Sequence, residues 1–136
     1  MLFNAIDTKS DIPAFEQIKN QVIYGIAVGA LEVGKTIPSV RELAKKVSAH
    51  PNTVAKAFLE LERIGVVETR RGIGMEVTPE GPAIAQAERK ETIQGRVRKA
   101  LREAVGSGLP PEEIWEVVEE ELGEVPSRRR WGQRGA

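Results

Sequence analysis

The segment Ser39–Gly65, SVRELAKKVSAHPNTVAKAFLELERIG, leaves this chain little freedom of fold. It reads as two helices with only the residues SAH between them. Ser39 and Glu42 have the S-x-x-E spacing of a capping box, in which the serine oxygen accepts from a first-turn amide and the glutamate reaches back. Val40, Leu43, Ala44 and Val47 follow at i, i+3, i+4 and i+7, which gives a short helix one apolar face. Pro51 suits the opening of the second helix, because a first turn has no internal partner for the amide that proline lacks. Val54, Ala57, Phe58, Leu61 and Ile64 line its apolar face, Arg63 suits its last turn, and Gly65 suits its C-cap. Helices joined this tightly cross at a large angle, as in a helix-turn-helix.

The flanks complete the pattern. Phe15, Ile18, Val22 and Ile26 predict a helix from about Pro13 to Val28, and GALEVG predicts a turn. After Gly65 the apolar period shortens: VVET and MEVT read as strands around RRGIG, where Gly72 and Gly74 permit a tight hairpin. The fold class is therefore mainly α with a small β-hairpin, a winged helix-turn-helix, over residues 1–78. TPEGP reads as a linker. A long helix is expected from about Ala83 to Val105, then a break at GSGLPP, then a helix from about Pro111 to Leu122. These form a two-helix C-terminal dimerisation segment, 79–136, ending in a basic tail expected to be disordered from about 125. The stripe Ile93, Val97, Leu101 could be intramolecular core or a dimer seam. The seam is the better reading, because few apolar residues remain to cover it. Ile114, Val117 and Val118 on the last helix belong to the same expected interface.

Composition removes whole classes of chemistry. The absence of cysteine excludes disulfides, zinc–thiolate sites and thiol nucleophiles, and a single histidine excludes a multi-histidine metal site within one chain. There is no P-loop, no glycine-rich nucleotide turn after a strand, and no nucleophile paired with a histidine base. The expectation is a protein that is no enzyme and needs no cofactor or metal. No run of 18 apolar residues and no secretory pattern at the start predict a cytoplasmic protein with no membrane span.

Net charge is zero, with 20 basic and 20 acidic residues, so only the distribution informs. Residues 109–124 are acidic and hold no lysine or arginine, whereas 37–74 are biased to the basic side. A helix-turn-helix places the start of its second helix in the DNA major groove. That start offers Asn52, whose amide matches adenine, Thr53, with a hydroxyl and a methyl, and Lys56, a donor to guanine or phosphate. Ser39 and Arg41, at the start of the preceding helix, suit the DNA backbone. Arg70 and Arg71 at the hairpin suit a neighbouring groove or phosphate. The arginines of the tail suit phosphate attraction, pairing with the acidic last helix, or no role at all.

The motifs PAFEQIKNQV, GALEVGKTIPSVRELAKKV and PNTVAKAFLELERIGVVETRRGIG make the span from about Ile12 to Val77 resemble the DNA-binding domain of GntR-family transcription regulators. The short C-terminal part, with LPPEEIWEVVEEEL after a long helix, resembles the YtrA-like branch. The resemblance implies a sequence-specific regulator, a homodimeric repressor, or less often an activator, on a palindromic double-stranded DNA operator. It also implies DNA contacts by Arg41, His50, Asn52, Thr53, Lys56, Arg71 and Gly72. At His50 the chain departs from the branch, which usually carries a small polar residue there. Two other readings are a sensor regulator with a small-molecule effector in the C-terminal dimer, and a winged-helix protein-interaction module.

Overall fold

Ile18, Val22 and Ile26 recur every fourth residue and are fully buried, which fixes the inner face of helix α1 (Ala14–Ala27). A computed structural model of the chain describes residues 2–123. Within these residues follow α2 (Val40–Val47), α3 (Pro51–Ile64), an antiparallel hairpin β1 (Val67–Arg70) and β2 (Gly74–Val77), α4 (Gly81–Gly106) and α5 (Pro111–Leu122). They fall into two units, Met1–Ile93 and Gln94–Ala136.

In the first unit the capping box forms as its sequence predicts. Glu42 N donates to Ser39 Oγ at 3.2 Å, and Ser39 N donates to Glu42 Oε1 at 3.0 Å. Helix α2 ends at Ser48, whose φ of 54° is left-handed, a conformation that costs a residue with a Cβ about 1–2 kcal/mol. Helix α3 ends at Gly65 (φ 91°), where glycine adopts the same region without that penalty. Leu43 and Val47 of α2, Val54 and Leu61 of α3, and Val66, Val67 and Val77 around the hairpin close one aliphatic core with α1. Each such side chain contributes about 1.5–3 kcal/mol on burial.

The hairpin pairs Val67 with Val77, Glu68 with Glu76, Thr69 with Met75 and Arg70 with Gly74. Gly72 (φ 77°) makes its turn, closed by Ile73 N donating to Arg70 O at 3.0 Å. The stretch before α2 adds a third edge: Thr36 bridges to Glu76, and Ile37 N donates to Met75 O at 2.9 Å. The N-terminal arm is fastened by two glutamines one helical turn apart on α1. Gln21 exchanges hydrogen bonds with the Asn4 backbone, both at 2.9 Å, and Gln17 does so with Asp7 at 2.8 and 3.0 Å.

The stretch TPEGP is a structured turn. Thr78 is buried, its hydroxyl donates to Gly65 O at 2.6 Å and its amide to Val66 O at 3.0 Å. Helix α4 starts at Gly81, where a Cβ would lie 2.8 Å from Val66 O. The first part of α4 rests on α1 through buried Ala85, a 3.3 Å bond from Gln86 Nε2 to Ala27 O, and Arg89 stacked 4.2 Å from the Tyr24 ring centroid.

In the second unit, the end of α4 closes through Leu109 N donating to Ala104 O at 3.2 Å, and α5 starts with Ile114 N donating to Pro110 O at 3.2 Å. No residue of α5 is buried. The arginine-rich tail expected from about 125 lies outside the described residues.

Candidate nucleic-acid interface

The start of α3 is built around His50. The backbone of His50 is extended, its carbonyl accepts from Thr53 N and Val54 N, and its Nδ1 accepts from Asn52 N at 3.0 Å. With Pro51 bringing no amide, Asn52 N is the first that needs a partner, and the imidazole supplies it. Asn52 is exposed on the side of α3 opposite the core residues Val54, Ala57 and Leu61, and half-buried Thr53 lies on the flank of that core face. Lys56 is exposed one turn on, with its ammonium 4.1 Å from the Phe15 ring centroid. Arg63 binds Glu60 at 2.8 Å and holds its carboxyl below the usual carboxylate range, helped by Lys19 and Lys56 nearby.

Ser39 stands exposed at the start of α2 with its oxygen committed to the cap. The Ser39 amide and then the Ser39 hydroxyl hold the Glu42 carboxyl below its ordinary value. Arg41 is exposed, and among the described residues it makes no ion pair. Ser39, Val40 and Glu42 share a cleft of about 370 Å³ with Thr69, Ile73 and Gly74 of the hairpin. The start of α2 and the wing thus present adjoining surfaces. The two wing arginines differ. Arg70 is paired with Glu68 at 3.0 Å and lies 3.8 Å from Glu76, two carboxylates that face each other across the hairpin. Arg71 and Gly72 are exposed at the tip, and among the described residues Arg71 has no ion pair.

Of the residues expected at a dimer seam, the second unit brings Val97, Leu101, Ile114, Val117 and Val118 together around an apolar groove of about 810 Å³, with Trp115 and Leu122 also on its walls. Ile93, 41 % exposed, belongs to the first unit and is not part of that lining.

Residues 14–77 match the family model described as bacterial regulatory proteins, gntR family. The chain is 33 % identical over 125 residues to the HTH-type transcriptional repressor YtrA of Bacillus subtilis, spanning 92 % of this chain and 96 % of that protein. The chain belongs to the GntR family. A GntR family transcriptional regulator from Listeria monocytogenes superposes with a TM-score of 0.65 at 28 % identity, over 85 % of this chain and 98 % of that one. YtrA of Sulfolobus acidocaldarius, a GntR-family transcription factor, superposes with a TM-score of 0.52 at 28 % identity, over 88 % and 97 % of the two chains. The chain is thus a GntR-type DNA-binding transcription regulator of the YtrA-like branch, with the mainly α, winged architecture its sequence predicts.

Seen as a GntR regulator, the chain holds features near its recognition helix that its sequence does not signal. Phe15, which reads as an ordinary core position of α1, seats Lys56. Glu62, on the outer side of α3, accepts from the Thr69 hydroxyl at 2.8 Å and so ties the recognition helix to the wing. Neither contact follows a helical or strand period, so no local signal points to it.

Proposed function

We propose that this GntR-family regulator is a homodimeric repressor that reads a palindromic operator with two copies of α3. The observation that carries the DNA-reading half is the start of α3, where Asn52 and Lys56 stand opposite, and Thr53 beside, the core face of Val54, Ala57, Phe58 and Leu61. Asn52 and Thr53 read base edges in the major groove. Arg41, with the exposed start of α2, and Arg71, with Gly72 at the wing tip, grip phosphates on either side. Residues 1–78 form the DNA-binding part, and 79–136 the dimerising part. The two recognition helices stand roughly one turn of duplex apart, ~34 Å. Repression follows from covering a promoter. The reading gives the chain no catalytic step and places it in the cytoplasm.

The dimeric half rests on α5, none of whose residues is buried among the described residues, and on the groove beside it. A face lined by Val97, Leu101, Ile114 and Val118 loses about 25 cal/mol for each Å² left in water, so a second copy is the occupant that suits it. A small-molecule effector is a second reading, favoured by the groove's volume of about 810 Å³, within the roughly 300–1,000 Å³ of ligand sites. The third, a protein-interaction module, is disfavoured by the polar start of α3.

The test is selection of bound duplex from a random DNA pool at physiological salt, with light scattering on the same sample. An enriched inverted repeat and a mass of two chains are expected. Enrichment of no sequence removes the DNA-reading half, and a monomer that binds a single half-site removes the dimer. A ligand-dependent rise in melting temperature supports the effector reading.

A further inference from the structure

The cap at the start of α3 determines what the one histidine of this chain can say to DNA. Nδ1 of His50 accepts the Asn52 amide at 3.0 Å, so in the neutral ring that nitrogen carries a lone pair and the hydrogen sits on Nε2. The partner of one ring nitrogen fixes the tautomer of the other. The side chain is exposed, and Nε2 lies on the far side of the ring from the helix amide it caps.

We infer that His50 is a one-way reader, which presents an Nε2–H donor to an acceptor on DNA and cannot itself accept from a base amino group. This rests on the DNA-reading role of α3 and deepens it. The ring is doubly constrained: Pro51 holds the backbone φ of the first helical residue, and the cap bond holds the imidazole against the helix end. A donor held in this way loses little freedom on binding, unlike the long side chains of Arg41 or Lys56. The matching acceptors are a non-bridging phosphate oxygen and, at base edges, a purine N7, a guanine O6 or a thymine O4. An adenine N6 or cytosine N4 amino group offers only hydrogens, so it faces the Nε2–H without a bond.

The experiment uses the full-length chain and the duplex that it enriches from a random pool. Each phosphate of a half-site is replaced in turn by a methylphosphonate, each purine by its 7-deaza analogue, each guanine by 2-aminopurine, which lacks O6, and each thymine by 5-methyl-2-pyrimidinone, which lacks O4. Wild type is compared with His50→Ser, whose hydroxyl still caps Asn52 but ends short of the place of Nε2. Wild type should lose about tenfold in affinity at one position, the size of one hydrogen bond to a strong acceptor. His50→Ser should bind the unmodified duplex about as weakly and show no further loss at that position. A sensitive methylphosphonate assigns the acceptor to the backbone, and a sensitive base analogue assigns it to that base atom. Losses that add independently at every position overturn the inference while leaving the DNA-reading role intact. Enrichment of no duplex at all overturns both. In the free protein, nitrogen–proton correlation of the imidazole should show the hydrogen on Nε2, and a neutral ring protonated on Nδ1 overturns the inference whatever the binding data. His50→Ala, which lacks the cap as well, should melt below His50→Ser.

Discussion

The ammonium of Lys56, on the exposed side of α3, lies 4.1 Å from the centre of the Phe15 ring. A cation over an aromatic face gains about 0.5–1 kcal/mol at an exposed site. Lys56 must give up that contact to reach a base or a phosphate. Phe15→Leu keeps the apolar packing and removes the ring, so it should lower fold stability slightly and raise operator affinity by about two- to fivefold. Titration of labelled duplex with each variant checks this. In a Lys56→Met background the gain in affinity should vanish.

Gly81 and Gly95 lie on the same helix and should respond to alanine with opposite signs. A Cβ at Gly81 meets Val66 O at 2.8 Å and Val77 Cγ1 at 3.2 Å, whereas one at Gly95 meets nothing within 4 Å. Gly81→Ala should cost about 1–3 kcal/mol, the range for overpacking a tight site. Gly95→Ala should gain about 0.5–1 kcal/mol from helix propensity. Chemical denaturation of both variants settles the pair of signs.

The capping box predicts a response to acid. The Glu42 carboxyl is held below its ordinary value of 4.5 by the Ser39 amide and hydroxyl. A group with a depressed folded value contributes stability above its unfolded value and loses it as the pH falls through the folded one. Part of the stability of α2 should therefore disappear on acidification below about 4.5, as Glu42 takes up its proton. Glu42→Gln should be less stable than wild type at pH 7 and should show a shallower decline between pH 5 and pH 3. Melting temperatures across that range provide the comparison.

The two wing arginines should separate in function. Arg71→Ala should weaken binding to all sequences alike and reduce the slope of affinity against salt by about one phosphate. Arg70 sits between Glu68 and Glu76, which face each other across the hairpin. Arg70→Ala should leave those like charges opposed and destabilise the wing by about 0.2–1 kcal/mol. It should disturb the salt slope less than Arg71→Ala does. Binding isotherms at several salt concentrations, with hydrogen exchange on the wing, distinguish the two.

The parts of this fold that could be read from sequence are those whose causes are local. Ser39 with Glu42, Pro51 and Gly65 mark where α2 and α3 begin and end, because caps act within four residues. Gly72 and Gly74 mark the wing, because a turn needs residues that tolerate positive φ. Of the candidate contact residues, the sequence indicates Asn52, Thr53 and Arg71 as positions at a helix start and a hairpin tip, where the structure leaves them exposed or half-exposed. It does not indicate that Arg70 is held by carboxylates, that Lys56 rests on Phe15, or that Gln17 and Gln21 fasten the N-terminal arm. Those contacts join segments whose meeting depends on the finished packing. The order in the connector before α4 is not legible for the same reason: TPEGP has the composition of a flexible linker, and its turn is held by the Thr78 hydroxyl on Gly65 O, the Thr78 amide on Val66 O and the close approach of Gly81 to Val66 O.

That rigid turn makes the first part of α4 a stiff handle on the recognition helix. The last turn of α3 ends at Gly65, whose carbonyl is held by Thr78, while Gly81 sits against the carbonyl of Val66 with no room for even a methyl group. A reorientation of the first turns of α4 should therefore carry the base of α3 with it, and with α3 the surface proposed to read DNA.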